Sequence, residues 1–319
     1  VAGRLHLDRT DAMLALLVVI WGAAFPGLKV LGTALDPYQM TWYRYALFPV
    51  AYGTWMALRR RDTFRTVSGG DWLAMGLLGI VGVLGYHFTL NWGLEGAGGV
   101  SAATGAILVA TTPLFTLLLS VATGRERPTA MAWLGSLLAF AGVAIVVFLG
   151  KGRVDVDVAV KALVVLIAPL SWAVYSVYTR PLVHRYGGLF TTGATLSVGA
   201  LVLVPLGIHY GVAPLRQLSA LQWFWLGWLA FLSTILGYAM WNNALKHRTA
   251  TQVSVYVYFN PVVAALVGVT FLHEHLTGWF LAGSALVLGG VILVNQARVK
   301  AANLAAAQAA TAVPAPTKP

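Results

Sequence analysis

Ten runs of about twenty apolar residues, each closed by charged or Gly/Pro-rich breaks, constrain this chain more than any other feature. They fall at 11–32, 38–58, 71–91, 99–123, 131–149, 160–180, 190–210, 221–243, 251–272 and 277–295. A hydrocarbon core about 30 Å thick is crossed by roughly 20 helical residues, so each run is long enough to span it. Inside a bilayer no water is available to backbone N–H and C=O groups, and only a helix satisfies them within one segment. The predicted fold class is therefore an all-α membrane protein with ten transmembrane helices. A β-barrel would show short segments of alternating polarity, and the sequence contains none.

Charge supports this reading and orients it. The 319 residues include only 21 Lys+Arg and 10 Asp+Glu, where a soluble domain of this length would carry roughly 80 charges. That shortage excludes an ordinary soluble enzyme, a disordered chain and a disulfide scaffold. The absence of cysteine removes thiolate metal sites and sulfur redox chemistry. With the N-terminus in the cytoplasm, fifteen basic residues, including Arg59, Arg60, Arg61, Arg65, Arg125 and Arg127, fall on the inner side. Only Lys151, Arg153, Lys161 and Arg216 fall on the outer side, while Lys29 and Arg44 lie inside spans. Positive residues are retained in the cytoplasm, so both termini are expected inside a multi-pass protein of the cell inner membrane. The net charge of +11 then faces anionic membrane lipids, and no nucleic-acid partner is expected. The first span is too long for a cleavable signal peptide, and no small-residue cleavage site follows it.

The two halves of the chain resemble one another. At an offset of 148, Pro113, Glu126, Thr129, Gly135 and Gly142 match Pro261, Glu274, Thr277, Gly283 and Gly290. Gly85-Tyr86 and Asn91 match Gly237-Tyr238 and Asn243 at 152, and Trp21 matches Trp172 at 151. The organisation read from this is a cytoplasmic N-terminus (1–10), a five-helix repeat (11–149), a connecting loop (150–159), a second five-helix repeat (160–295) and a cytoplasmic tail (296–319). The Ala-rich tail, with its late prolines, is expected to fray from a helical extension into disorder. Five spans per repeat is an odd number, so the copies must be inverted. A 5+5 inverted repeat gives inward- and outward-open packings of similar energy, which is a transporter architecture.

Trp21-Gly22-Ala23-Ala24-Phe25 in the first run, and Asn260-Pro261-Val262 followed by Glu274 and Gly283, resemble the drug/metabolite transporter superfamily. Thr112-Pro113-Leu114 with Glu126 and Gly135 is the weaker counterpart. Within that superfamily the likeness is to ten-helix EamA-type exporters, which include YddG-like amino-acid exporters, and it covers residues 11 to 295. The resemblance implies export of amino acids or related small metabolites by a protein of the inner membrane.

Trp21 and Trp172 lie mid-span rather than at the interface that tryptophan prefers. They either pack between helices or wall a cavity together with Phe25, Tyr86, Tyr175, Ser176, Tyr238 and Asn242. Pro113 and Pro261 interrupt runs four and nine and are candidate hinges; Thr112 and Asn260 before them are placed to re-satisfy the backbone and are also candidate substrate-binding residues. The glycines at 76, 79, 82 and 85 read as a packing stripe. Glu126 and Glu274 read as helix-terminal residues beside the capping Thr129 and Thr277 rather than as proton carriers. The histidines of His273-Glu274-His275 are two apart, which is not a helical metal pair, so no metal site is expected. All ten acidic residues fall at span ends or in loops, which leaves no carboxylate relay. His87 is the titratable side chain deepest in a run, either coupled to protons or hydrogen-bonded to a neighbouring helix. For Lys29 and Arg44, snorkelling to the outer interface is the default and reception of a substrate carboxylate the alternative.

These readings converge on an alternating-access exporter of small metabolites, foremost amino acids, with no cofactor, acting as a monomer or weak homodimer. A multidrug exporter is the nearest alternative. An enzyme acting on lipid-linked substrates would need catalytic groups clustered at one membrane face, which the sequence does not offer. Because the chain has no cysteine, a single introduced thiol tests the orientation. A thiol placed by Ala213→Cys should react with an impermeant maleimide applied to intact cells, and one placed by Gly124→Cys only after permeabilisation. The reverse pattern would overturn the orientation.

Overall fold

The computed structural model describes residues 9–59, 61–96, 98–124, 129–149, 156–247, 256 and 259–311, and these are helical or connecting turns with no strand among them. In the first half, α1 (Arg9–Leu31) runs unbroken through Pro26. α2 (Pro37–Tyr45) opens on a capping box: Asp36 accepts from the Gln39 amide at 2.8 Å and Gln39 accepts from the Asp36 amide at 3.1 Å. α3 (Phe48–Arg59) follows. α4 is composite, with Gly69–Ile80, a π-helical Val81–Phe88 and Thr89–Leu94. α5 (Ala102–Val109), α6 (Thr112–Ala122) and α7 (Ala130–Leu149) complete this half.

The second half contains α8 (Val156–Val165), α9 (Ile167–Tyr186), α10 (Gly188–Leu201) and α11 (Val204–Tyr210). α12 is again composite, with Ala220–Gly227, a π-helical Trp228–Leu236 and Gly237–His247. α13 (Asn260–Leu272) and α14 (Gly278–Thr311) end it. Among the described residues, five helical stretches are long and apolar enough to cross a membrane, or six if α10 and α11, bent by 46°, count as one. Such a chain is consistent with a membrane protein. The last helix does not stop at residue 295 but continues to Thr311, because the tail is rich in alanine, the strongest helix former.

Prolines explain where the apolar runs break. Pro49, Pro113, Pro205 and Pro261 are each the second residue of a helix, α3, α6, α11 and α13 respectively. A proline lacks the N–H that would bond four residues back, and its ring crowds that carbonyl. The preceding helices α2, α5 and α10 accordingly end on Tyr45, Val109 and Leu201, each four residues before a proline. The counterpart before Pro261, Val257, lies outside the described residues. The breaks therefore recur in the second and fourth runs of each half. The π-helical segments recur in the third.

Glycine sets the closest packing. A Cβ at Gly135 would stand 2.6 Å from the Gly290 oxygen, and one at Gly142 2.5 Å from the Gly283 oxygen. These four glycines match in sequence as 135 with 283 and 142 with 290, yet they pair in space crosswise. That is the pattern a two-fold axis through the α7–α14 interface produces, in which residue i meets j′ and j meets i′. The period-three stripe divides between two partners: Gly79 lies against Thr195 and Gly199 of α10, while Gly82 and Gly85 lie against Tyr175 and Ser171 of α9.

The helix ends carry the remaining polar groups. Thr129 accepts from the Ala132 amide at 3.2 Å and Thr277 from the Phe280 amide at 3.1 Å, so both cap their helices as expected. Glu274 serves a different helix from the one it precedes. Its Oε1 accepts from the Ala102 amide at 2.7 Å and Oε2 from Ala103 at 3.4 Å, which neutralises the start of α5 from the other half of the chain. Glu126 lies outside the described residues. The Nζ of Lys29 donates to the carbonyls of Gly96, Gly99 and Val100 at 2.9, 3.3 and 3.2 Å. At another helix end Asp71 accepts from Arg185 and from the Tyr186 hydroxyl, both at 2.6 Å.

The crosswise packing predicts an asymmetry between glycines. Gly290→Val should lower the thermal midpoint in detergent by an amount matching about 1–3 kcal/mol of overpacking. Gly53→Val, where a Cβ meets nothing within 4 Å, should leave it unchanged.

Candidate functional site

The composite helices α4 and α12 bring the site together. A π-turn admits one extra residue and rotates the side chains that follow it, and such turns recur at functional sites. In α12 the Thr234 hydroxyl donates to the Leu229 carbonyl five residues back at 2.8 Å, which supports the wider turn. Tyr86 lies within the first π-helical segment and Tyr238 just after the second.

Between these segments runs a continuous chain of aromatic contacts. Trp21 of α1 meets Tyr238 edge-on at 6.2 Å between ring centroids, and Tyr238 meets Trp172 of α9 at 5.7 Å. Trp172 meets Tyr86 at 5.5 Å and stacks on Tyr175 at 5.4 Å. Trp172 is thus flanked by the two tyrosines that correspond across the repeat. Tyr175 and Tyr238 are buried, whereas Trp21, Tyr86 and Trp172 are half-buried. The Trp21 indole N–H is held by the Ser233 carbonyl at 2.9 Å, which fixes its ring against the second π-helical segment. The Tyr175 hydroxyl and the Thr195 hydroxyl share a bond of 2.9 Å.

Five of the residues expected from sequence therefore form one cluster, and Phe25, Ser176, Thr112 and Asn260 lie outside it. Phe25 is buried against Gly105 of α5. Ser176 is exposed, because the buried stripe of α9 runs through Ala168, Ser171, Tyr175 and Thr179, with Trp172 at its edge. A residue one turn beyond Trp172 falls past that edge. Thr112 spends its hydroxyl on the Val109 carbonyl, at 2.7 Å, that Pro113 leaves without its usual amide. Asn260 is buried at the start of α13, where its carbonyl would stand 3.0 Å from a Cβ at Gly22. The Trp-Gly and Asn-Pro signatures are in this way two sides of one α1–α13 contact. The side chain of Asn242 lies outside the described residues.

Arg44, on which sequence reading placed a default of snorkelling, is 6% exposed and points inward. Its Nε donates to the Thr234 hydroxyl at 2.8 Å and its NH2 to the Ser233 hydroxyl at 3.3 Å. Its NH1 lies 3.2 Å from His87 Nδ1, and the guanidinium sits 5.6 Å from the Tyr45 ring centroid. A guanidinium only donates, so Nδ1 must accept. The imidazole is then neutral with its proton on Nε2. The side chain points inward because α2 packs against both π-helical segments and the hydroxyls of the second meet the guanidinium. The adjacent pair Ser233-Thr234 inside an apolar run was the available signal. Among the described residues no group of His, Asp or Glu converges as a metal-ligand set.

A family model for EamA-like transporters matches residues 9–148 and again 160–296. A protein of Archaeoglobus fulgidus named as an uncharacterized transporter is 27% identical, over 90% of this chain and 98% of its own. A protein of Streptantibioticus cattleyicolor named as a probable terminal-alkyne amino-acid exporter is 29% identical, over 92% of this chain and 95% of its own. One solved crystal structure superposes with a TM-score of 0.61 at 19% identity, covering 90% of this chain and 96% of that one; at that identity the likeness concerns the fold alone. The family match occurs twice, once in each half, and its two copies take in both π-helical segments and every residue of the aromatic cluster. The chain belongs to the EamA-like transporter family and is a membrane transporter.

Proposed function

We propose that this protein exports small metabolites, foremost amino acids, across the cell inner membrane by alternating access. In this reading ten spans form a 5+5 inverted repeat with both termini in the cytoplasm. The observation that carries it is the aromatic chain Trp21–Tyr238–Trp172–Tyr86, which draws its members from both halves and joins the two π-helical segments. A site built between repeats is remade whenever one repeat moves against the other. The paired breaks before Pro113 and Pro261 supply joints in the fourth and ninth runs, and those before Pro49 and Pro205 in the second and seventh. The cluster is complete within one chain, so a monomer suffices.

Amino acids suit such a site because aromatic faces accept both an apolar side chain and, through the ring quadrupole, an ammonium. The relative named as a probable terminal-alkyne amino-acid exporter supports this substrate class. Transport is facilitative in this reading. His87 accepts from Arg44, and protonating Nδ1 would replace that bond with repulsion between two cations.

Counterflow in proteoliposomes loaded with a panel of amino acids tests the proposal. Uptake should be measurable for several apolar amino acids and little changed by a pH gradient. Trp172→Ala should lower it roughly tenfold or more, the equivalent of about 1.4 kcal/mol of lost interaction, whereas replacing the exposed Trp133 should not. No uptake of any amino acid would sink the substrate assignment, and strong acceleration by a proton gradient would sink the uncoupled mechanism.

A further inference from the structure

We infer that Arg44 is the anchor for a substrate carboxylate, so that the transported class is defined by a free carboxylate beside an apolar group and the ammonium is dispensable. The inference rests on the reading of the aromatic cluster as the binding site.

The argument starts from an unbalanced charge. Arg44 is buried, and its three partners, Thr234, Ser233 and His87, are all neutral. Among the described residues the one ion pair is Arg185 with Asp71, at a helix end. The ten acidic residues of the chain all fall at the ends of apolar runs or in loops. A buried charge without a counter-ion is costly, because neutral dipoles replace only part of the lost hydration. A structural role would be met more cheaply by a neutral side chain of similar size. The guanidinium also has five N–H donors in a planar fork suited to a carboxylate, and the protein takes three of them.

The surroundings indicate where the anion sits. His87 Nε2, which must carry the proton, is buried and has no partner; it points away from Arg44 on the far side of the ring, so the guanidinium's two remaining N–H groups are the donors left for an anion. The His87 ring lies 4.6 Å from Tyr86, which is in contact with Trp172. An anion on the free N–H groups of Arg44 lies next to the His87–Tyr86 pair, and its attached side chain reaches the aromatic chain. No acid is available there for an ammonium, which meets ring faces only. Carboxylate binding neutralises the site, whereas amine binding alone would add a second positive charge to it.

Ligand-dependent thermal stabilisation of the purified full-length protein in detergent tests this, using leucine and phenylalanine with three analogues each. Leucinamide and phenylalaninamide lack the carboxylate charge, isoamylamine and phenethylamine lack the carboxyl group, and isocaproate and hydrocinnamate lack the amine. The acids, with or without the amine, should stabilise at concentrations roughly 10- to 100-fold below those needed for the amides and amines. Arg44→Gln should abolish this preference, weakening the response to the acids and, with the like charge gone, strengthening that to the amides; Arg44→Lys should restore part of the preference as a point charge. If Arg44→Gln does not fold, the wild-type series alone decides. Equal stabilisation by acid and amide overturns the anchor and leaves the aromatic site standing. No response to any compound overturns the site and the anchor together.

Discussion

A backbone hydrogen bond broken inside a bilayer has no water to replace it, and this architecture follows from how each such break is handled. Proline breaks recur in the second and fourth runs of each half, and at one of them the freed carbonyl has a partner nearby. Thr112 takes the carbonyl that Pro113 leaves at Val109. Where α4 gives way to α5, Lys29 gathers three loop carbonyls and Glu274 covers the first amides of α5. These two charges spend themselves on backbone dipoles rather than on solvent or on a proton pathway. A helix end that takes its cap from the opposite half of the chain is a joint whose stability depends on how the halves are packed.

The π-helical segments handle the same constraint differently, by widening the turn instead of ending it. Each lies in the third run of its half, so the irregularity is shared between the copies. The side chains around them include the residues with most chemical potential: Tyr86, His87, Ser233, Thr234 and Tyr238. An unbroken α-helix would present a regular stripe there. The extra residue re-aims the face, and hydroxyls from an otherwise apolar run meet the guanidinium of Arg44.

Aromatic contacts were the more legible half of the site, since Trp21 and Trp172 lie mid-run and correspond across the repeat. Tyr86 and Tyr238 could be read in the same way. Adjacency along a helix is a weaker guide: it leads correctly from Trp172 to Tyr175, whereas Phe25 turns into the core and Ser176 out of the bundle. Pro49 and Pro205 are harder to match in the sequence because their offset of 156 differs from the 148 shared by Pro113 with Pro261 and the residues after them. Loops of unequal length shift such matches without altering their place in the fold.

The amino-acid sequence by itself determined that the chain is helical and apolar, that Pro113 and Pro261 interrupt matching runs, and which glycines match between halves. Those features are local: hydrophobic run length, a missing N–H and a missing Cβ act within a few residues. Only the tertiary structure decided that matched glycines pair crosswise, that Glu274 caps a helix from the other half, and that Arg44 points inward to His87 and two hydroxyls. Such contacts join residues up to 190 positions apart, and the direction of a side chain depends on the rotation of its whole helix. A span-end arginine is equally compatible in sequence with the lipid interface and with the interior; the packing of α2 against the π-helical turns of α4 and α12 makes the choice.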